Sequence, residues 1–445
     1  MKLKRHVLAL VLAGITTPAT VWATNGMNME GYGPIATGMG GASFAYDNGT
    51  AAVMNNPATL GLMGKGSRLD VALGFLGPDV TSTHSAMFGQ ASIGSGGDAY
   101  YMPAVGYVKS DGKLTYGFGL FAQGGMGTEY NTSMDGRPER SELGVGRFIL
   151  PLAYKVNEDF SVGGSLDYIW SMLDMKMVMP IGMMAGLITN PGNGTLAGAL
   201  AGMAGMGYDA ARLEFSDGSD FTGKAKATGF AGKLGFTYRV SPTVMVGGVY
   251  HAKSSLGDMK TSSTGAAMIV TDLPPGGNPT QTVPGKITVI DFQWPETYGI
   301  GLAIQMTPDL LIAADYKRLN WKDVMKNFTM SYSAMNDTVT FALPQNWDNQ
   351  DVLHIGLSYK ATNALTLRAG ANLADNPIPS TTVHYLFPAI VKNHYTLGLG
   401  YDFSKLSGLN FSLTYAPEVS QTNTIFGYKV DHSQTNWQLM YTHRF

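Results

Sequence analysis

The sequence predicts an all-β fold, a transmembrane antiparallel β-barrel of about fourteen strands with an N-terminal hatch (plug) inside it. Three observations carry this. Only 14% of the 445 residues are charged, against about 25% in typical soluble domains. Past the leader, no run approaches the roughly 20 apolar residues that a helical span needs. Apolar residues instead recur at every second position, giving strands one lipid-compatible face and one polar face.

Residues 1–23 read as a signal peptide: Lys2, Lys4 and Arg5, an apolar run from Val7 to Ile15, then Val21-Trp22-Ala23 before the cleavage point. Removing those three cations from the 30 Lys+Arg leaves 27 against 32 Asp+Glu, a net charge of −5. Such a chain lacks the basic face that nucleic acid requires. With no cysteine, neither disulfides nor thiolate metal sites are available. The eight His fall at no metal-ligand spacing, no G-x-S-x-G elbow is present, and no cofactor, metal or catalytic group is expected.

Residues 24–67 are Gly-, Ala- and Asn-rich with short helix-compatible pieces, too apolar for a free tail, and are assigned to the hatch. The barrel with its external loops takes residues 68–445. In "FSVGGSLDYIW" Phe160, Val162, Leu166, Tyr168 and Trp170 oppose Ser161, Ser165 and Asp167. "HYTLGLGYDF" and "LNFSLTY" alternate likewise, and "NWQLMYTHRF" ends the chain on an aromatic, Phe445. Tight turns ("VNED", "VSPT", "MTPD", "KATNA", "SKLSG") separate strands from long connections near 80–97, 128–141, 177–220, 260–283, 327–349, 375–391 and 419–432. Short periplasmic turns and long external loops give that rhythm.

The connection 177–220 opens with "MVMPIGMMAGLITNPGNGTLAGALAGMAGMGYDAA". Asn190-Pro191-Gly192-Asn193-Gly194 breaks it into two apolar arms, each too short to span a bilayer, which read as two short helices of an external loop. Met179, Met183, Met184, Leu187, Leu200, Met203 and Met206 then form a pliable capture groove for oily ligands, or bury against one another. In "YGFGLFAQGGMGTEY" Gly124, Gly125 and Gly127 break the alternation, as at a bulge or bend; alternatively the strand ends there. A carboxylate ligand would need a cation, for which Arg147 and Lys176 are candidates, with Arg212, Lys224 and Lys226 near the upper barrel.

"AYDNGTAAVMNNPATL" resembles the FadL/TodX family of outer-membrane hydrophobic-compound transporters, with Asn56, Pro57 and Ala58 at the family's hatch tripeptide. "GFAGKLGFTYRVSPTVMVGGVYHAKSSLGDMKTSS", "WPETYGIGLAIQMTPDLLIAADYKRLNWKD" and "LRAGANLADNPIPSTTVHYLFP" are similar to later family hairpins. The resemblance implies a monomer in the outer membrane of a Gram-negative bacterium, inserted among its lipids by the barrel-assembly machinery. It also implies passive import of long-chain fatty acids or similar molecules: loop capture, hatch rearrangement, and lateral exit through a kinked third strand, here Gly124–Gly127. "QNWDNQDVLHIGLSYK" lacks a clear Lys at the place where a carboxylate partner is expected, which leaves aromatic hydrocarbons or esters as alternative substrates. A general porin fits the low charge less well.

Overall fold

The computed structural model describes residues 25–83, 92–216, 224–262, 265–273 and 277–445; the leader at 1–23 lies outside the described residues. Fourteen long strands form one closed antiparallel ring. They are β1 (Gly66–Thr83), β2 (Tyr100–Ser110), β3 (Leu114–Tyr130), β4 (Glu139–Lys155), β5 (Phe160–Pro180), β6 (Ala225–Ser241) and β7 (Val244–His251). The ring continues with β8 (Thr297–Thr307), β9 (Leu310–Leu319), β10 (Gln350–Lys360), β11 (Leu365–Ala374), β12 (His394–Asp402), β13 (Ser407–Thr422) and β14 (Lys429–Arg444). Each strand pairs with the next, and β14 returns to β1 from Arg68↔Arg444 to Thr83↔Lys429. Closure matters because an open edge in hydrocarbon would leave a row of unpaired backbone groups, each costing several kcal/mol.

Alternation sorts the side chains. Tyr116, Phe118 and Leu120 of β3, Leu166 and Tyr168 of β5, and Leu397, Leu399 and Tyr401 of β12 are exposed on the lipid side. Asp70, Arg147, Asp167, Lys233, Asp315, His354 and Asn436 face inward and are buried. They are buried because residues 25–65 occupy the bore. That segment hydrogen-bonds to strands all round the ring: Ser43 and Phe44 amides to Asp315 on β9, the Gly40 carbonyl to His354 on β10, the Gly40 amide to Thr396 on β12, Thr37 to Gln438 on β14 and the Thr50 amide to Asp70 on β1. The "GMGG" run earns its glycines by close approach. Gly40 and Gly41 have φ of 69° and 91°, and a β-carbon on either would strike the wall at Ala371 or His354.

Asn56 caps the 3-10 turn Pro57–Leu62 by accepting the Ala58 amide at 3.1 Å, and its amide group donates to the carbonyls of Phe44 (2.8 Å) and of Phe236 in the wall (3.2 Å). Pro57 sits at the first turn, where its missing N–H costs nothing. Glycines at 163 and 235 make room for Ala58 and Asn56. The tripeptide therefore ties the bore segment to β5 and β6.

The apolar loop departs from two simple helices. Residues Met177 to Pro180 prolong β5, because that strand outruns the bilayer and pairs with Ala210–Glu214. Only Ile181–Gly186 is helical in the first arm, which ends in a short strand, Ile188–Asn190, laid against Asp337–Pro344. The second arm forms the helix Thr195–Gly205, whose own cap is Gly194 without a side-chain acceptor. Asp337 supplies the acceptor from the neighbouring loop, taking the amides of Asn193 (2.8 Å) and Leu196 (2.9 Å). Those backbone hydrogen bonds, the Leu196 amide foremost, hold its carboxyl below the ordinary 3.8. A depressed folded-state value means the tether is fully present above 3.8 and fades as pH falls through the folded value. Limited proteolysis around residues 190–195 is expected to speed up in that acid window, and Asp337→Asn to abolish the pH dependence.

Candidate functional site

The ring has an opening in its side. The β2–β3 ladder runs only from Ser110↔Thr115 to Val105↔Leu120. Above it, among the described residues, Tyr100–Ala104 have β1 as their one strand partner, and β3 continues to Tyr130 with β4 as its one strand partner. The gap closes higher up, where the Gly96 amide donates to the Glu129 carbonyl (2.7 Å) and the Glu129 amide to Ser95 Oγ (3.0 Å). At its lower edge β3 carries a bulge. The β4 register shifts between Ala122 and Gly124, leaving Gln123 as the extra residue. One added residue reverses the facing of everything beyond it: Phe121 and Gln123 point inward below, Thr128 and Tyr130 above.

The bore segment takes the place of β2 at the bulge. Asn28 makes an isolated bridge with Gly124, and Tyr32 Oη donates to the Gln123 carbonyl at 2.6 Å. A β-carbon at Gly124 would collide with the Met27 carbonyl oxygen. Gly125 likewise lets β3 pass close to the Leu143 carbonyl, and Gly127 leaves room for the Tyr100 hydroxyl. All three glycines singled out in the sequence thus lie at the opening.

A cavity of about 500 Å³ passes through it, within the range of small-molecule sites. Its inner end is bordered by Met27, Phe121, Val145, His432 and Gln434, and its outer end by Leu120, Trp170 and Met172 on the lipid side. A smaller void of about 20 Å³ shares Met27, Met126 and Leu143 with it and reaches Phe328 and Phe387 in the external loops. Among the described residues, Gln345 is the one polar side chain lining that void. Beside it, burial pushes His384 down to about 4, so its ring is neutral where it stacks on Tyr385 (4.6 Å).

The methionine loop lies above this route. Met179, Met184 and Leu200 are buried in the loop core with Leu213, Met268 and Phe341. Met183, Leu187 and Met203 pack half-buried at its margin, and Met206 is exposed. Three of the seven groove candidates are therefore core residues, and the other four lie at the loop's margin or surface. The cations are placed elsewhere. Lys176 lies on the outer face of β5 with Met172 and Asp174, turned from the bore. Arg212 is fully buried on Asp135 (2.7 Å), and Lys224 pairs with Glu142 (2.6 Å).

Arg147 does face inward, but it is engaged. Its Nη1 donates to Asp167 at 2.7 Å and its Nε to Gln123, while Lys233 pairs with the same carboxylate. Around them, Glu30, His251, Lys317 and His354 line a polar void of about 30 Å³ in the bore. This network was missed in sequence because its members come from separate strands; the one local signal was Asp167 on the polar face of "FSVGGSLDYIW".

A family model described as outer membrane protein transport protein (OMPP1/FadL/TodX) matches residues 10–438. The crystal structure of the P. putida toluene transporter TodX is similar at 30% identity, covering 94% of this chain and 99% of that one, with a TM-score of 0.82. The Ralstonia pickettii toluene transporter TbuX is similar at 28% identity over 94% and 99% of the two chains, with a TM-score of 0.73. A Chlorobium limicola protein, uncharacterised and from the phosphoenolpyruvate carboxykinase gene 5′ region, is 54% identical over 76 residues; the match spans 17% of this chain and 36% of that protein. A closed, filled barrel with a break in its wall, matched by this model over nearly its whole length, places the chain in the OMPP1/FadL/TodX family of outer-membrane transport proteins.

Proposed function

We propose that this chain carries small, neutral, apolar molecules, single-ring aromatic hydrocarbons in particular, from the external loops to the side opening and out into the membrane, passively and as a monomer. The observation that carries this reading is the lining of the cavity through the wall. It holds two carboxylates, Glu30 and Glu142, and no Lys or Arg among the described residues. Lys224 is already engaged on Glu142 (2.6 Å), so a fatty-acid anion would find no cation lining the passage, whereas a hydrocarbon gains about 25 cal/mol for each Å² it removes from water. The toluene transporters among its relatives support the same class. Solute moving down the apolar void reaches Met27 and turns sideways, because the charged network around Asp167 lies below. With the tripeptide Asn56-Pro57-Ala58 tied to the wall and Asn28 bridged to Gly124, the part of the hatch that yields is the side chains of Met27, Met29 and Glu30, which border the cavity.

The test compares radiolabelled toluene and oleate uptake in cells producing the protein and in cells lacking it. Protein-dependent uptake of toluene with little of oleate is expected. Protein-dependent oleate uptake exceeding that of toluene would overturn the assignment in favour of fatty acids.

A further inference from the structure

Outside the opening, the wall forms a trough rather than a smooth surface. The lipid-side positions of β4 opposite the bulge are Gly144 and Gly146, so bare backbone makes the floor. No atom lies within 4 Å of where a β-carbon on Gly144 would sit, whereas one on Gly146 would collide with the indole of Trp170. Trp170 on β5 therefore lies flat across Gly146 and ends the trough, with Met172 above it and Leu120 at the lower edge. Its ring is half-buried although it faces lipid, which fits an indole held down on glycine. Leu120 and Met172, by contrast, are 41% and 38% exposed.

We infer that Trp170, seated on Gly146, sets the width of the lipid-side end of the exit and thereby limits the girth of the molecules that leave. This rests on the sideways route proposed above. The indole is a rigid plate with few rotamers. Its position depends on one contact, the glycine beneath it. Any side chain at 146 must lift the plate, and the space into which it can lift is the trough itself.

The experiment measures uptake of two neutral probes, toluene and naphthalene, in cells producing Trp170→Ala, Gly146→Ala or both. Correct folding is checked by heat-modifiable mobility in gel electrophoresis. Trp170→Ala is expected to raise the naphthalene-to-toluene uptake ratio by about tenfold, the scale on which pocket size discriminates. Gly146→Ala is expected to lower uptake of both probes, and the double variant to regain it, since the lifted plate is then absent. An unchanged probe ratio in Trp170→Ala, with a disulfide between positions 103 and 122 across the opening still stopping uptake, would overturn the role of Trp170 alone. If that disulfide leaves uptake intact, the sideways route itself fails. Should Gly146→Ala not fold, the Trp170→Ala ratio decides by itself.

Discussion

A disulfide across the side opening is expected to reduce toluene uptake to the background of cells lacking the protein, and a reductant to restore it. Pro103→Cys with Ala122→Cys extends the Val105↔Leu120 ladder by two residues into the gap. The chain has no other cysteine, so one bond forms or none. Oxidation would draw β2 against β3, eliminating the passage that Leu120, Phe121 and Pro103 now border. A matched pair at Leu397 and Leu413, where β12 and β13 are already laddered, should leave transport unaffected in both redox states. The result that defeats the route is undiminished uptake with the 103–122 bond verified by mass spectrometry.

Replacing Asp167 by alanine is expected to cost about 3–5 kcal/mol, the usual loss when one partner of a buried ion pair is removed. Its side chain is 0% exposed, and those of Arg147 and Lys233 are 3% and 1% exposed. Solvent therefore cannot screen the two cations left behind. The loss should appear as a lower urea midpoint for the detergent-solubilised barrel. Adding Lys233→Met removes one orphaned charge and should recover part of the stability, a coupling readable from the double-mutant cycle. A change below about 1 kcal/mol for Asp167→Ala, as for a surface pair, would mean that the network carries little of the stability. The effect should also reach β3, because Arg147 holds the bulged Gln123.

The barrel was legible because alternation is local: a period of two survives in each strand without knowledge of its partners. The third-strand glycines stood out for the same reason, as an interruption of the alternation, and they lie beside the bulge. Pro103 was an unread signal. A proline in "YYMPAVGYV" can donate no ladder hydrogen bond and belongs at an edge, and in the structure that stretch lacks its β3 partner. The methionine arms were half legible. Their apolar character marked a packed loop, but the strand continuing to Pro180 depends on pairing with residues 30 or more positions later. Charges were read worst. Whether a cation greets a ligand or neutralises a neighbour is decided by contacts such as Lys233 with Asp167, 66 residues apart.

The contacts of Asn28 and Tyr32 with the bulged backbone have a consequence for the wall itself. In hydrocarbon an unmatched peptide group seeks any donor or acceptor within reach. Stripped of its leading turn, β3 would have only β2 to turn to, and the two would zip together. The stopper is thus also the doorstop: what blocks the pipe lengthwise is what keeps its flank from sealing.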